Sequence, residues 1–505
     1  MGDIEFLILL LAAAAVLVRL ADTISVPYPI VLVVGGLAIG LVPALPDLVL
    51  DPDVVFLVFL PPLLLAAGWN ASPRELKAEV RPLALLAFGL VLATMAGVAV
   101  VAHAIVPGMS WEAAFVLGAV VGPTDPVSAT ATFSRIGAPA RLRLLVEGEA
   151  MINDGTALVA YRVALVAAVE GTFSFGHAAL DFVFSAAGGV LVGVALGWLS
   201  IEVIKRQTDE ALTIFFTVIT AYASYIIGEE LHVSGVLAAV ATGIYSGWNV
   251  HTAMDAGTRL SGIAFWRVMI FGLEAMLFVL LGLQAPQLAE EIDVGSLAIP
   301  ALLVALTVIA IRMVWAMIPG GGFGDNPRER IAVGWAGMRG AISLAAALAV
   351  PHEVAERPEI LLITFGVILV TLLGQGLTLA PLLHRLALPD ANRWSPDEAM
   401  VRLEAAQAAL DRLEELEDDG AAEEPLRRLR DLYRQRFAMC VAVLGGGDVS
   451  EDGRRDLREY GAMRQELIAV ERASLLALRN EGKVPPDVVR KVERDLDLDE
   501  ARIRR

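Results

Sequence analysis

A single cysteine, Cys440, among 505 residues leaves no partner for an internal disulfide. Charge is scarce too: Asp, Glu, Lys and Arg make up 19% of the chain, less than a soluble protein of this length carries. The sequence has no His-Glu-x-x-His metal pair, no Gly-x-Ser-x-Gly elbow and no phosphate-cradling Gly-Lys-Ser/Thr loop, so the common hydrolase and nucleotide-binding frameworks are absent. His103, His232 and His251 are scattered singly and read as structural or loop residues. No basic n-region precedes the first apolar run, which is followed by Arg19 instead of a small-residue cleavage site. That run reads as a retained span and not a signal peptide. The net charge of -18 disfavours a polyanionic partner, and no nucleic-acid binding is expected.

What the chain has instead is apolar length. Hydrophobic residues reach 56%, with a mean hydropathy of +0.66. They fall in long runs up to about Leu388. Runs of ~20 apolar residues are what a helix needs to cross hydrocarbon ~30 Å thick. Lipid offers the backbone no hydrogen bonds, so these runs must be helical. The periodicity predicts an all-α membrane protein with about thirteen spans. They centre on 4–21, 28–46, 52–69, 82–107, 111–133, 144–169, 178–204, 211–228, 232–249, 266–284, 297–318, 330–351 and 359–388. With the N-terminus outside, the loops on the cytoplasmic side collect Arg19, Arg74, Lys77, Arg81, Arg135, Arg141, Arg143, Lys205, Arg206, Arg259, Arg267, Arg328 and Arg330. The external loops hold only Arg357 and carry acids, among them Asp47, Asp51, Glu170, Glu229, Glu230, Glu290, Glu291 and Asp293. This is a positive-inside pattern.

Residues 1–388 thus form a transmembrane domain, and 389–505 a charged tail placed in the cytoplasm by parity. The tail predicts helices near Asp397–Glu417, Leu426–Leu444 and Arg454–Leu478. Gly445-Gly446-Gly447 and Val484-Pro485-Pro486 punctuate it. It reads as a solvated helical tail, or as a regulatory or dimer-supporting domain.

Ionisable residues inside spans are costly and functional by default. Most spans have none at mid-length, and the exceptions cluster. The fifth reads Gly122-Pro123-Thr124-Asp125-Pro126. Pro123 and Pro126 remove backbone donors and disfavour helix at the preceding residue, so the helix should unwind around Asp125. A plain proline kink would not need the acid. The twelfth reads Gly334-Trp335-Ala336-Gly337-Met338-Arg339-Gly340-Ala341-Ile342-Ser343, whose glycines and Arg339 predict a second break. An odd offset between the two broken spans fits two inverted repeats of about six spans joined by a seventh. The sixth reads Glu147-Gly148-Glu149-Ala150-Met151-Ile152-Asn153-Asp154. Asp154 has no sequence neighbour to neutralise it. Glu149, five residues earlier, is rotated ~140° away, and Arg312 is its candidate partner.

Together and in this order, Gly-Pro-Thr-Asp-Pro, Gly-Glu-x-x-x-Asn-Asp and Gly-Met-Arg-Gly-Ala-Ile resemble the monovalent cation/proton antiporters, in the branch of NhaP-type and animal sodium/proton exchangers. The resemblance covers roughly residues 1–390. It implies thirteen spans, an external N-terminus, a core domain moving against a dimerisation domain, a homodimer in the cell membrane, and crossed unwound helices at the ion site. It implies that Asp154 carries the ion or proton, with Asn153, Thr124 and Asp125 beside it, that Glu149 and Arg312 form a structural ion pair, and that Arg339 belongs to the second broken helix. Two positions depart from the family pattern. Ala66 stands where members often carry an acid after Leu-Pro-Pro, and Ala150 where they often carry serine. Arg162, two turns beyond Asp154, has no role in this reading beyond pairing with an acid or snorkelling.

The expected activity is sodium/proton exchange, one for one and electroneutral, with no cofactor. Na+, or K+ or Li+, and H+ are its cargo. A potassium/proton exchanger is the alternative with the same machinery. A cation channel or a membrane ion sensor is the alternative from another class.

Overall fold

A computed structural model describes residues 3–24, 26–42, 54–170, 175–291, 294–318, 321–323, 326–386, 396–418, 422–444 and 466–475, with 463, 492 and 496 as isolated positions. Asp47, Asp51, Asp293, the expected end of the second span, the expected boundary at 388/389 and both tail punctuation points lie outside the described residues. Every regular element among those described is helical. The chain divides into two compact units, Met1–Asp390 and Ala391–Arg505.

The first unit begins with α1 (Asp3–Ile24), α2 (Tyr28–Gly40), α3 (Val55–Asn70) and α4 (Val80–Ile105). Two short helices follow, α5 (Trp111–Val120) and α6 (Val127–Ile136), separated by an irregular stretch. Then come α7 (Ala140–Glu170), α8 (Phe175–Ile204), α9 (Glu210–Glu230), α10 (Gly235–Asn249), α11 (Ala256–Glu291) and α12 (Val294–Ala316). A second pair of short helices, α13 (Pro327–Trp335) and α14 (Ala341–Leu348), precedes α15 (Arg357–Leu386). Among the described residues seven helices are long and apolar enough to cross a membrane: α4, α7, α8, α9, α11, α12 and α15. The apolar helices α2, α3 and α5 are shorter.

Local chemistry sets several of these ends. Ser110 caps α5, its Oγ accepting from Ala113 N at 3.2 Å. Asn326 caps α13, accepting from Arg328 N at 2.9 Å, with Pro327 in the first turn where its missing donor costs nothing. Gly137, at φ 71, ends α6 in the left-handed conformation that favours glycine.

The helices pack in two groups. One contains α4, α5, α7 and α12 to α15. The other pairs α2 with α11 and α3 with α10, and adds α1, α8 and α9. Close approach in the second group depends on Gly36 and Gly282. A Cβ on either would strike a backbone carbonyl of the facing helix, Val279 for Gly36 and Val33 for Gly282. Small residues are what let apolar helices associate where lipid is the alternative.

In the second unit α16 (Pro396–Asp418) packs on α17 (Glu423–Leu444), and Arg430 pairs with Glu417 between them. Cys440 is buried. Of the third helix expected there, residues 466–475 are helical.

Candidate ion-binding site

The two irregular stretches, 121–126 and 336–340, cross. Asp125 N donates to Met338 O at 2.8 Å, and a Cβ on Gly340 would lie 2.5 Å from Asp125 Oδ2. The crossing puts four helix ends in one place. Asp125 serves the two N-termini. Its Oδ1 accepts from Val127 N, at the start of α6, at 3.0 Å, and its Oδ2 lies against Gly340, which opens α14. Arg339 serves the two C-termini. Its Nε donates to Val121 O, at the end of α5, at 3.0 Å, and its Nη1 donates to Gly337 O, just past α13. Its backbone N donates to Thr371 Oγ1 at 3.1 Å. Anions are favoured at helix N-termini and cations at C-termini, so each side chain lies at the end that suits its charge.

Gly340 is the tightest point of the crossing. Gly340→Ala must push Asp125 away from the start of α14. Its exchange rate in reconstituted vesicles is expected to fall more than roughly tenfold with the protein still folded. An unchanged rate would mean that the crossing tolerates a wider spacing.

A polar relay runs from the crossing into α7. Asn153 Nδ2 donates to Thr124 Oγ1 at 2.8 Å, and Thr124 Oγ1 donates to Glu149 Oε1 at 3.3 Å. Glu149 is held by Arg312 of α12 through both oxygens, with Nη2 to Oε2 at 2.7 Å. Arg312 also donates to Val333 O, from Nη2 at 3.1 Å and from Nε at 3.3 Å. Both partners are 1% exposed. The Thr124 hydroxyl proton is therefore spent in the relay.

Asp154, 4% exposed, stands apart from the relay, and its Oδ1 has no hydrogen-bond partner among the described residues. Asp125 Oδ2 and Ser343 Oγ are likewise buried and unpartnered. All three residues line one cavity of about 980 Å³, which Thr124 and Pro123 also reach. Unsatisfied buried oxygens are rare and call for an explanation. That three of them belong to residues lining one cavity, two as carboxylate oxygens, makes a setting for a hard cation. Ala66 and Ala150 line the same cavity, so the oxygens they lack leave its wall apolar at both places.

Sequence reasoning gave no role to Ser343, Tyr28 or Glu274, which also line this cavity. Glu274 lies inside the expected span 266–284, so its charge at mid-span was the signal that could have found it. Arg162 reaches across from α7 to α9, its Nη2 donating to Glu229 Oε2 at 2.5 Å. His103 stacks on Trp111 with ring centroids 4.2 Å apart and bonds Met109 O at 2.7 Å. His232 turns the chain at φ 57, and His251 sits at the cavity edge.

Apolar helices, two of the runs interrupted and crossed beside buried acids, define a secondary ion transporter. The fold matches the solved sodium proton antiporter MjNhaP1 of Methanocaldococcus jannaschii with a TM-score of 0.64, over 76% of this chain and 98% of that one, at 20% identity. The chain belongs to the sodium/hydrogen exchanger family, whose transmembrane family model matches residues 7–385. The NhaP-type branch expected from the motifs is borne out. The Na+/H+ antiporter ApNhaP of Aphanothece halophytica is 32% identical, over 90% of this chain and 86% of that protein. A sodium, potassium, lithium and rubidium/H+ antiporter of Bacillus pumilus is 31% identical, over 73% of this chain and 59% of its own length. The family is one of cation/proton transporters and not an enzyme class.

Proposed function

We propose that the protein exchanges Na+ for H+ one for one, with Asp154 carrying either ion in turn. The observation that carries this reading is the buried, unpartnered Asp154 Oδ1 on the cavity beside the crossed helices. A bare carboxylate at this depth is costly, so it is held neutral by a proton or by a cation. Asp125 Oδ2, Asn153 Oδ1, an oxygen of Thr124 and cavity water complete the cation's shell. Asn153 adds an amide and no second titrating group, which favours a stoichiometry without net charge movement. The empty, charged site is expensive to carry across the barrier, so only loaded states cross.

The group containing α4, α5, α7 and α12 to α15 is the moving core in this reading. The group built on α2, α3, α10 and α11 is the dimerisation scaffold of a homodimer. Thirteen spans in two inverted six-helix repeats, an external N-terminus, a cytoplasmic 389–505 tail and residence in the cell membrane complete the proposal. The cavity edge carries Arg143, Arg259 and Arg267, from the Arg-rich side of the chain, so the cavity opens toward the cytoplasm.

Potassium is the second reading, favoured by the broad cation range in the name of the Bacillus pumilus relative. Flux into proteoliposomes driven by a pH gradient, with Na+, Li+ or K+ outside, decides between them. Na+ is expected to support flux at the lowest concentration, at a rate unmoved by a clamped membrane potential. Preference for K+ would replace the sodium assignment, and a voltage-sensitive rate would end the one-for-one stoichiometry.

A further inference from the structure

The cavity has two walls. Asp125 and Asp154 belong to one helix group, and facing them the other group contributes a carboxylate of its own, Glu274 on α11. Glu274 is half-buried. Among the described residues its one hydrogen bond comes from a neutral donor, Tyr28 OH on α2, to Oε2 at 2.8 Å. Among the described residues no Lys, Arg or His pairs with it. The Tyr28 ring is fixed by a tilted contact with Phe271, centroids 5.7 Å apart.

A buried tyrosine hydroxyl needs an acceptor, but an amide, a main-chain carbonyl or water would satisfy it. A carboxylate with no cation beside it is a costly choice for that task. Along α11 the residues Arg267, Ile270, Phe271, Glu274 and Leu277 all reach the cavity, so one face of this helix follows it inward from exposed Arg267. Glu274 lies seven residues further in, about 10 Å at 1.5 Å per residue. It is placed to meet a cation before the cation meets Asp154.

We propose that Glu274, with the hydroxyl oxygen of Tyr28 and cavity water, forms a second monovalent-cation site, a way-station on the stationary wall from which the ion passes to Asp125 and Asp154. The proposal rests on the exchange reading above. Oxygen ligands with one negative charge suit a partly hydrated alkali ion, and open water on one side lets it leave. Such a site raises the local cation concentration without taking part in the step that crosses the barrier. Its loss therefore acts on half-saturation more than on maximal rate.

The test is Na+-driven exchange in proteoliposomes with the full chain, comparing the parent with Glu274→Gln, Glu274→Asp, Tyr28→Phe and Asp154→Asn, and measuring the thermal midpoint of each in detergent. Glu274→Gln is expected to raise the half-saturating Na+ concentration roughly five- to tenfold, the size of one charge contact in a partly hydrated site, and to lower the maximal rate less than about threefold. Glu274→Asp keeps the charge, and its half-saturation is expected to stay within about twofold of the parent. Tyr28→Phe is expected to shift half-saturation about twofold with an unchanged thermal midpoint. Half-saturation in Glu274→Gln equal to the parent's would overturn the way-station. So would loss of exchange with a lowered midpoint in both Glu274→Gln and Tyr28→Phe, which would make the pair a structural strut. Exchange that survives Asp154→Asn would overturn the assignment of Asp154 instead. The half-saturation of Glu274→Gln would still decide its own site.

Discussion

Replacing Asp154 by asparagine is expected to abolish exchange, with Na+-driven proton movement in vesicles falling by roughly a hundredfold or more. The substitution keeps the shape of the side chain and removes the charge that, in the proposed cycle, either cargo ion neutralises. Its structural cost is expected to be small. Among the described residues Asp154 Oδ1 has no hydrogen-bond partner to lose, and the side chain stands outside the relay that ties α7 to the crossing. Removing a buried charge also removes its desolvation penalty, so the thermal midpoint in detergent should equal or exceed the parent's. Proton flux that persists in this variant would show that another group carries the ion. A collapsed midpoint would show that the charge stabilises the fold.

The opposite profile is expected at Arg312. Its guanidinium bonds both oxygens of Glu149 and the Val333 carbonyl, and both partners are buried. The absent side chain of Gly337 leaves the space through which Arg312 passes. Arg312→Ala strands Glu149 as an uncompensated buried charge, which costs about 3–5 kcal/mol. Chemical or thermal unfolding in detergent should register this as a large loss of stability, and yield in the membrane should fall with it. Pairing Arg312→Met with Glu149→Gln removes both charges together. The double variant is expected to be more stable than Arg312→Ala, because the stranded charge is most of the penalty. An Arg312→Ala protein as stable as the parent would sink the ion-pair role.

Some of this architecture was legible in the sequence for local reasons. Pro123, Pro126 and the glycines around Arg339 forbid or weaken helix wherever they occur, so the breaks at 121–126 and 336–340 follow from the residues themselves. An acid or arginine in an apolar run is conspicuous because burial costs so much, which singled out Asp154, Glu149 and Arg312. The family followed from the order of three such motifs.

What remained hidden depends on the meeting of distant segments. That Asp125 and Arg339 divide four helix ends between them needs the two breaks to cross, and no periodicity encodes the crossing. Arg162 had no assigned partner because Glu229 lies 67 residues away on α9. Ser343 and Tyr28 are ordinary residues until the cavity is assembled around them.

The Arg162–Glu229 contact joins the two helix groups eight residues beyond Asp154 on α7, about 12 Å further from the cavity edge. Both side chains are substantially exposed, 51% and 32%, and pairs of this kind hold with about 1 kcal/mol or less. The Glu149–Arg312 pair, by contrast, lies wholly inside one group. If the two helix groups part there in the proposed cycle, a weak, exposed clasp is a fastening that thermal motion can undo and remake each time. In the proposed cycle the buried, doubly bonded pair is a rivet that travels with its own body and does not have to open.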